Sequence, residues 1–127
     1  MPMNHDAIIL FAHGARDPRW AAPFEAVAER VRSERPGVAV RLAFLELMTP
    51  DLPAAAAELI GAGCRRIEVV PLFLGTGGHV RKDLPALLDA LRGAHPQIGF
   101  TLHPAVGDAP EVIAAMAAAA ARTVPRP

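Results

Sequence analysis

The chain has little of several features that would each point to a particular class of protein. It contains one cysteine, Cys64, among 127 residues, which excludes an intramolecular disulfide and any metal site built from paired thiolates. We expect that thiol to be packed and unreactive, since free cysteine usually behaves as a small hydrophobic residue. The formal net charge is zero, and lysine and arginine form no run. This balance argues against broad binding to nucleic acid or to a membrane surface.

Long apolar segments are also missing. No stretch approaches the ~20 apolar residues that a membrane-spanning helix needs. The N-terminus lacks the basic flank and cleavage site of a signal peptide, and no low-complexity linker divides the chain. Apolar residues make up 52% of the chain and charged residues 20%. We therefore expect a single globular domain over residues 1–127, located in the cytoplasm.

The sequence instead contains a strand-helix alternation that recurs four times. The apolar runs at 7–12 and 67–73 suit strands that are covered on both faces. Residues 38–44 and 98–103 alternate between larger apolar side chains and small or polar ones, which is typical of edge strands. The pattern predicts an α/β fold with a four-stranded parallel sheet in the flavodoxin-like order 2-1-3-4 and helices on both faces.

Four segments between and after these strands have the pattern of amphipathic helices. Apolar stripes at i, i+3, i+4 and i+7 begin at Phe24, Leu52 and Leu84. Residues 49–51 provide an N-cap and proline start signal, and Asp83 before Leu84-Pro85 predicts the start of the third helix in the same way. In the last helix, at about 109–122, we expect the buried side to carry Val112, Ile113 and Met116.

In this strand order the direction of winding reverses between the first and third strands, and ligands bind at such a reversal beyond the carboxyl ends of the strands. The loops at this carboxyl edge, 13–18 and 74–79, each contain a histidine, His13 and His79. The second strand ends near Glu46. Two imidazoles and a carboxylate at one edge of a sheet can bind a divalent metal and accept protons.

Simpler interpretations exist for each of these residues. A histidine at the end of a strand can serve only to cap backbone groups, and Glu46 can be a solvated charge. The glycines at 75, 77 and 78 are also consistent with a tight turn alone. They match neither a phosphate-binding loop nor the GxGxxG dinucleotide pattern. A glycine-rich loop would, however, let a flat and bulky ligand approach the backbone closely.

Taken together, these motifs resemble the short form of the class II chelatases, the CbiX and SirB group of sirohydrochlorin chelatases. The matching segments are His13-Gly14-x-Arg16-Asp17-Pro18, Phe44-Leu45-Glu46 with Pro50, and Pro71-Leu72-Phe73-Leu74-x-x-Gly77-x-His79 with Asp83-Leu84-Pro85. One departure is Ala15, which stands where the family usually has serine. The resemblance covers nearly the whole chain.

This resemblance implies insertion of a divalent metal into a sirohydrochlorin-type tetrapyrrole, with no ATP or redox cofactor. The metal would be Co²⁺ or Fe²⁺, with Ni²⁺ as a further option, and the protein would be a homodimer. We expect His13 and His79 to bind the metal and accept protons, with Glu46 as a third catalytic group. The residues expected to bind the tetrapyrrole are Arg16, Gly75, Thr76, Gly77, Gly78 and Arg81.

Two other functions fit part of the pattern. Histidine phosphatases also carry His-Gly after the first strand, but they need an arginine immediately before the histidine, and Ala12 occupies that position. A non-enzymatic carrier of divalent metal, using His13 and His79 as ligands, remains as the alternative to a chelatase.

Overall fold

The computed structural model describes residues 5–75 and 77–126, except for the side chains at positions 78, 79 and 81. One parallel sheet organises these residues. Its strands are β1 (Asp6–Ala12), β2 (Ala39–Phe44), β3 (Arg66–Pro71) and β4 (Gly99–Leu102). They lie in the order β2-β1-β3-β4, and every pairing is parallel. The predicted fold class and strand order are therefore confirmed.

Four helices connect and follow the strands: α1 (Ala22–Glu34), α2 (Leu52–Gly61), α3 (Gly78–Ala94) and α4 (Pro110–Ala121). The predicted start of α2 is confirmed, because the Asp51 carboxylate accepts a hydrogen bond from the Ala54 backbone N–H at 2.9 Å. No helix formed by the described residues is long and apolar enough to cross a bilayer.

The predicted start of the third helix at Asp83 is wrong. Helix α3 begins at Gly78, so Pro85 lies inside it rather than in its first turn. Proline removes one backbone hydrogen bond from a helix interior, and this helix tolerates that loss. Its apolar stripe explains why, since Leu84, Leu88 and Leu91 are all buried against the sheet.

The core has two parts, one on each face of the sheet. On one face, α2 and α3 cover residues that include Ile9 and Val69. On the other face, α1 covers Leu10 and Leu42. Cys64 is buried, as expected, and burial raises the pKa of its thiol, with a smaller contribution from the nearby Asp6 charge.

The expectation that α4 buries Val112, Ile113 and Met116 is wrong. None of the residues of α4 is buried, and the Ile113 and Met116 side chains are 52% and 42% exposed. The helical period correctly predicted a helix here. The period shows which side of the helix is apolar but not which surface covers that side. In this chain α4 makes no extensive contact with the sheet.

Candidate active site

The site begins where β1 and β2 end side by side. The parallel hydrogen bonding continues past both strands: the Leu45 N–H donates to the Ala12 carbonyl at 2.9 Å, and the Glu46 N–H donates to the His13 carbonyl at 3.1 Å. These bonds hold His13 and Glu46 next to each other at the carboxyl edge, where ligands bind in sheets of this order.

Gly14 allows the two loops to approach this closely. Its φ is 98°, which is a left-handed conformation that residues with a Cβ atom rarely adopt. A Cβ atom at this position would lie 1.8 Å from the Glu46 carbonyl oxygen. Any other residue at position 14 would therefore force the loops apart.

The side chains of His13 and Glu46 face each other across a short gap. His13 Nε2 and Glu46 Oε1 are 3.7 Å apart, and the two side chains are 49% and 57% exposed. The Phe73 ring packs edge-on against the imidazole, with ring centroids 5.6 Å apart. The imidazole is thus supported on one side and open to solvent elsewhere, an arrangement in which it can accept a proton or bind a cation.

The loop after β3 brings glycines to the same edge. Gly75 and Gly77 are both exposed, and a Cβ atom built on either would meet nothing within 4 Å. Among the described glycines the positive φ angles belong to Gly14 and Gly63. Neither backbone strain nor packing within the described chain therefore requires glycine at positions 75 and 77.

Several predicted residues fall on the less completely described part of this loop. Thr76 lies outside the described residues. Gly78 and His79 form the start of α3, but the side chains of His79 and Arg81 lie outside the description. Whether His79 reaches His13 therefore remains a prediction.

Arg16 lies at the carboxyl edge with an exposed side chain. It borders an open cleft of about 340 Å³, whose other lining residues include Phe44, Leu47 and Met48. The neighbouring Arg19 is engaged differently, because its guanidinium donates to the Asp17 carboxylate at 2.9 Å. That hydrogen bond lowers the pKa of the Asp17 carboxyl below its usual value. Among the described residues, Arg16 has no such acidic partner.

His103 also follows a strand at this edge, but it pairs with a different carboxylate. Its Nε2 lies 3.4 Å from Glu68 Oε2 on β3. Within the described residues, which leave out the His79 side chain, no group of three or more potential metal ligands occurs, and His13 and Glu46 form a pair.

Sequence reasoning missed two exposed leucines on either side of His13. Leu47 follows β2 and is 60% exposed, and Leu74 follows β3 and is 70% exposed. Leu47 has a left-handed φ of 64°. The Leu74 backbone is held tightly, because a Cβ atom on Gly107 would lie 1.9 Å from the Leu74 carbonyl oxygen. Nothing in the local sequence marked either leucine as exposed, since both lie in apolar segments that are usually buried.

Comparison with known sequences agrees with the resemblance read from the motifs. The CbiX family profile matches residues 7–123. The sirohydrochlorin cobaltochelatase of Methanocaldococcus jannaschii is 33% identical over 90 residues, which is 71% of this chain and 63% of that protein. A sirohydrochlorin cobaltochelatase of Saccharolobus islandicus is 36% identical over 81 residues, or 64% of this chain and 62% of that protein. The matched region thus spans less than two thirds of the length of these curated relatives.

Solved structures show the same fold. A CbiX protein of Marinobacter aquaeolei VT8, named for cobalamin biosynthesis, has a TM-score of 0.82 and 34% identity, covering 93% of this chain and 96% of that one. SirB from Bacillus subtilis, solved with Fe³⁺, has a TM-score of 0.79 and 25% identity, covering 94% of this chain but 48% of that one. Because the family profile extends over nearly the whole sequence and the fold agrees with it, the chain belongs to the CbiX family.

Proposed function

We propose that this protein inserts a divalent metal, Co²⁺ or Fe²⁺ with Ni²⁺ as a further option, into a sirohydrochlorin-type tetrapyrrole. The observation that carries the proposal is the His13–Glu46 pair, 3.7 Å apart and open to solvent at the carboxyl edge of a CbiX-family fold. The name of the relatives, sirohydrochlorin cobaltochelatase, favours cobalt and this substrate class.

The chemistry requires a base and a temporary metal ligand. Each insertion replaces two pyrrole N–H protons by one M²⁺ ion, so two protons must leave the ring. Histidine is suited to accept them near neutral pH and, when neutral, to bind a divalent ion. In this proposal His13 and His79 bind the ion and accept the protons, and the Glu46 carboxylate stabilises the imidazolium of His13. The reaction moves no electrons, so we propose no cofactor, and the metal itself is a substrate.

The surroundings of the pair suit a flat, carboxylate-rich ligand. The open space at Gly75 and Gly77 leaves the backbone accessible, and we assign Thr76 and Gly78 to the same contact surface. Leu47 and Leu74 provide exposed apolar contacts for the macrocycle. We assign Arg16 and Arg81 to the ligand carboxylates, because a guanidinium can bind a carboxylate through two parallel hydrogen bonds.

We further propose that the protein acts as a homodimer that encloses the tetrapyrrole between two carboxyl edges. The proposal is supported by the open surroundings of His13, which one described chain leaves about half exposed. It is also supported by SirB, whose single chain is about twice the matched length.

The proposal is tested by anaerobic absorbance spectroscopy of sirohydrochlorin mixed with Co²⁺, Fe²⁺ or Ni²⁺. The native protein should exceed the spontaneous insertion rate, and His13→Ala and His79→Ala should each lower the catalysed rate by about a hundredfold or more. His95→Ala is the matched control, because His95 follows the far end of α3, away from the carboxyl edge. It should retain the native rate.

A different outcome would favour the metal carrier. If the native protein binds the ion stably but never exceeds the spontaneous insertion rate with any of the three metals, then the chelatase proposal is wrong. In that case isothermal titration with Co²⁺ should still show binding that His13→Ala weakens.

A further inference from the structure

A second pair of histidine and glutamate lies on the sheet, away from the His13–Glu46 pair. His103 Nε2 and Glu68 Oε2 are 3.4 Å apart, which is closer than the 3.7 Å between His13 and Glu46. The side chains of His103 and Glu68 are each 43% exposed. This second pair is therefore open to solvent, and the proposed insertion of metal makes no use of it.

The main chain holds both residues on a rigid part of the sheet. Glu68 lies within β3, where its register partners are Ile8 of β1 on one side and Thr101 of β4 on the other. His103 directly follows β4, and its N–H donates to the Val69 carbonyl at 2.9 Å. Groups carried by strands are positioned more precisely than groups carried by loops. The backbone therefore presents the imidazole and the carboxylate to one point on the sheet.

The surroundings of the pair are apolar on one side and open on the other. Val70 follows Glu68 by two residues on the same face of the sheet and packs against the cluster under α1. Thr101, opposite Glu68, is exposed. An apolar neighbour strengthens the attraction between a carboxylate and a cation, because it lowers the local dielectric constant. The open side leaves room for water molecules as further ligands.

The basic residue of β3 does not neutralise this carboxylate. Arg66 precedes Glu68 by two residues and so lies on the same face of the sheet. Its guanidinium Nε is 2.7 Å from Asp6 Oδ1. In the part of the chain that the structure describes, Glu68 forms its ion pair with His103 and with no lysine or arginine. When the imidazole is neutral, the pair therefore carries one negative charge that a cation can balance.

The 3.4 Å separation suits two ligands of one metal ion better than a direct hydrogen bond. Hydrogen bonds between N–H and oxygen cluster at about 2.9–3.0 Å. A first-row ion such as zinc binds imidazole nitrogen and carboxylate oxygen at about 2.0–2.2 Å. Two such ligands, at an angle of about 90–110° at the metal, are therefore about 3.0–3.4 Å apart. An ion can enter between the two side chains with little movement of either.

We propose that Glu68 and His103 bind a divalent first-row cation such as Co²⁺, Ni²⁺ or Zn²⁺, as a second metal site. The mixed nitrogen and oxygen ligands favour these ions over Mg²⁺ and Ca²⁺, which prefer oxygen ligands. Since the protein supplies two ligands and both are about half exposed, water completes the coordination and the ion can exchange.

This site is separate from the proposed insertion site. The strand register places His103 two strands away from β1 and level with Leu10, which is three residues before His13. With strands about 4.8 Å apart and residues about 3.3 Å apart along a strand, the backbones of His103 and His13 are on the order of 14 Å apart. The second site therefore does not depend on the proposed function.

The first test follows the backbone amide resonances by NMR spectroscopy while Co²⁺ is added to the His13→Ala, His79→Ala protein. This background removes both proposed ligands of the insertion site. The paramagnetic ion should broaden the resonances around positions 68 and 103 first. Glu68→Gln and His103→Gln should each raise the dissociation constant for Co²⁺ about tenfold or more, because each removes a direct ligand. The remaining resonances of each variant report whether it is folded.

The matched control is His95→Gln in the same background. Among the described residues His95 has no acidic partner, and its ring packs against Phe100, with ring centroids 6.3 Å apart. This variant should bind Co²⁺ as tightly as the background protein. Addition of Zn²⁺ should restore the broadened resonances, because it displaces Co²⁺ from the same ligands, whereas a hundredfold excess of Mg²⁺ should not.

The outcomes separate the second site from the proposed function. Broadening confined to the surroundings of His5 or His95 overturns the second site, and so does Co²⁺ binding that is unchanged by both Glu68→Gln and His103→Gln. Displacement by Mg²⁺ also overturns it, since the imidazole would then not be a ligand. The absorbance assay of the native protein is independent of these results: insertion without a second site leaves the proposed function standing.

Discussion

At the scale of single residues, Gly14 fixes the spacing of the His13–Glu46 pair. The pair is held by main-chain hydrogen bonds between the two loops, and those bonds require the backbone at Gly14 to lie against the Glu46 carbonyl. The side chains contribute less to this spacing, because each is about half exposed and they are 3.7 Å apart. Substitution of a glycine therefore tests the site as directly as substitution of the histidine.

We expect Gly14→Ala to lower the free energy of unfolding by about 2 kcal/mol or more, because it adds a left-handed non-glycine residue and a backbone clash. Urea denaturation measures this loss, and metal insertion should slow as well. Gly75→Ala is the matched substitution, since its Cβ would meet nothing within 4 Å. It should change stability by less than about 0.5 kcal/mol and raise the KM for the tetrapyrrole. Equal loss of stability in both variants would contradict this account.

Leu47 combines an exposed apolar side chain with a left-handed backbone, two features that each oppose stability. Asparagine adopts this conformation more readily, so we expect Leu47→Asn to raise the free energy of unfolding by about 0.5–1 kcal/mol. If Leu47 contacts the macrocycle, the same variant should raise the KM for the tetrapyrrole.

The control for Leu47 is Leu74→Asn, at an exposed leucine without a left-handed φ. It should leave stability unchanged in thermal unfolding while raising KM to a similar extent. A Leu47→Asn protein that is less stable than the native protein would contradict the expected gain.

At the scale of helices and strands, Pro85 marks where a local sequence signal gave the wrong boundary. The combination of Asp83 with Leu84 and Pro85 is typical of a helix start, yet α3 begins several residues earlier at Gly78. The apolar stripe from Leu84 onward packs on the sheet, and this tertiary contact maintains the helix across the proline.

We expect Pro85→Ala to raise the free energy of unfolding by about 1–2 kcal/mol. The substitution restores one helical hydrogen bond and removes a poor helix former, while it makes the unfolded chain more flexible. Pro53→Ala is the matched control, because Pro53 lies in the first turn of α2, where an N–H has no helical acceptor. Chemical denaturation should show no gain there. A gain of equal size in both variants would argue against a missing bond in α3.

Several of these strands and helices could be predicted from the sequence alone. The runs at 7–12 and 67–73 correctly placed two central strands, and Asp51 correctly placed the start of α2. These features depend on local periodicity and on capping, which neighbouring residues determine. The packing of α4 could not be predicted from local periodicity. The spacing of Ile113 and Met116 indicates that one side of the helix is apolar, but it does not indicate what covers that side.

The strand pattern predicted only part of the candidate site. Strand order brought the loops of His13 and Glu46 to one edge, and the structure places these two residues together as expected. The exposure of Leu47 and Leu74 depends instead on how Gly14 and Gly107 hold the loops, which requires the fold to be known.

At the scale of the whole molecule, the proposed homodimer would link folding to association. A carboxyl edge whose His13 and Glu46 side chains are about half exposed in one chain gains burial when a second copy binds. We therefore expect the midpoint of thermal unfolding to rise with protein concentration, because dimerisation stabilises the native state by mass action. Calorimetry over a hundredfold range of concentration measures this. A midpoint that does not change with concentration would contradict the homodimer.

The main-chain pairing of the loops after β1 and β2 has a further consequence for protein engineering. The hydrogen bonds from Leu45 and Glu46 involve only backbone atoms. The metal-binding atoms of the His13 and Glu46 side chains can therefore be changed without changing the backbone geometry that positions them. A thiolate in place of the His13 imidazole, or an amide in place of the Glu46 carboxylate, would be held by the same pair of loops. Ligand softness governs which divalent ions a site prefers. This framework is therefore suited to retuning metal selectivity one side chain at a time.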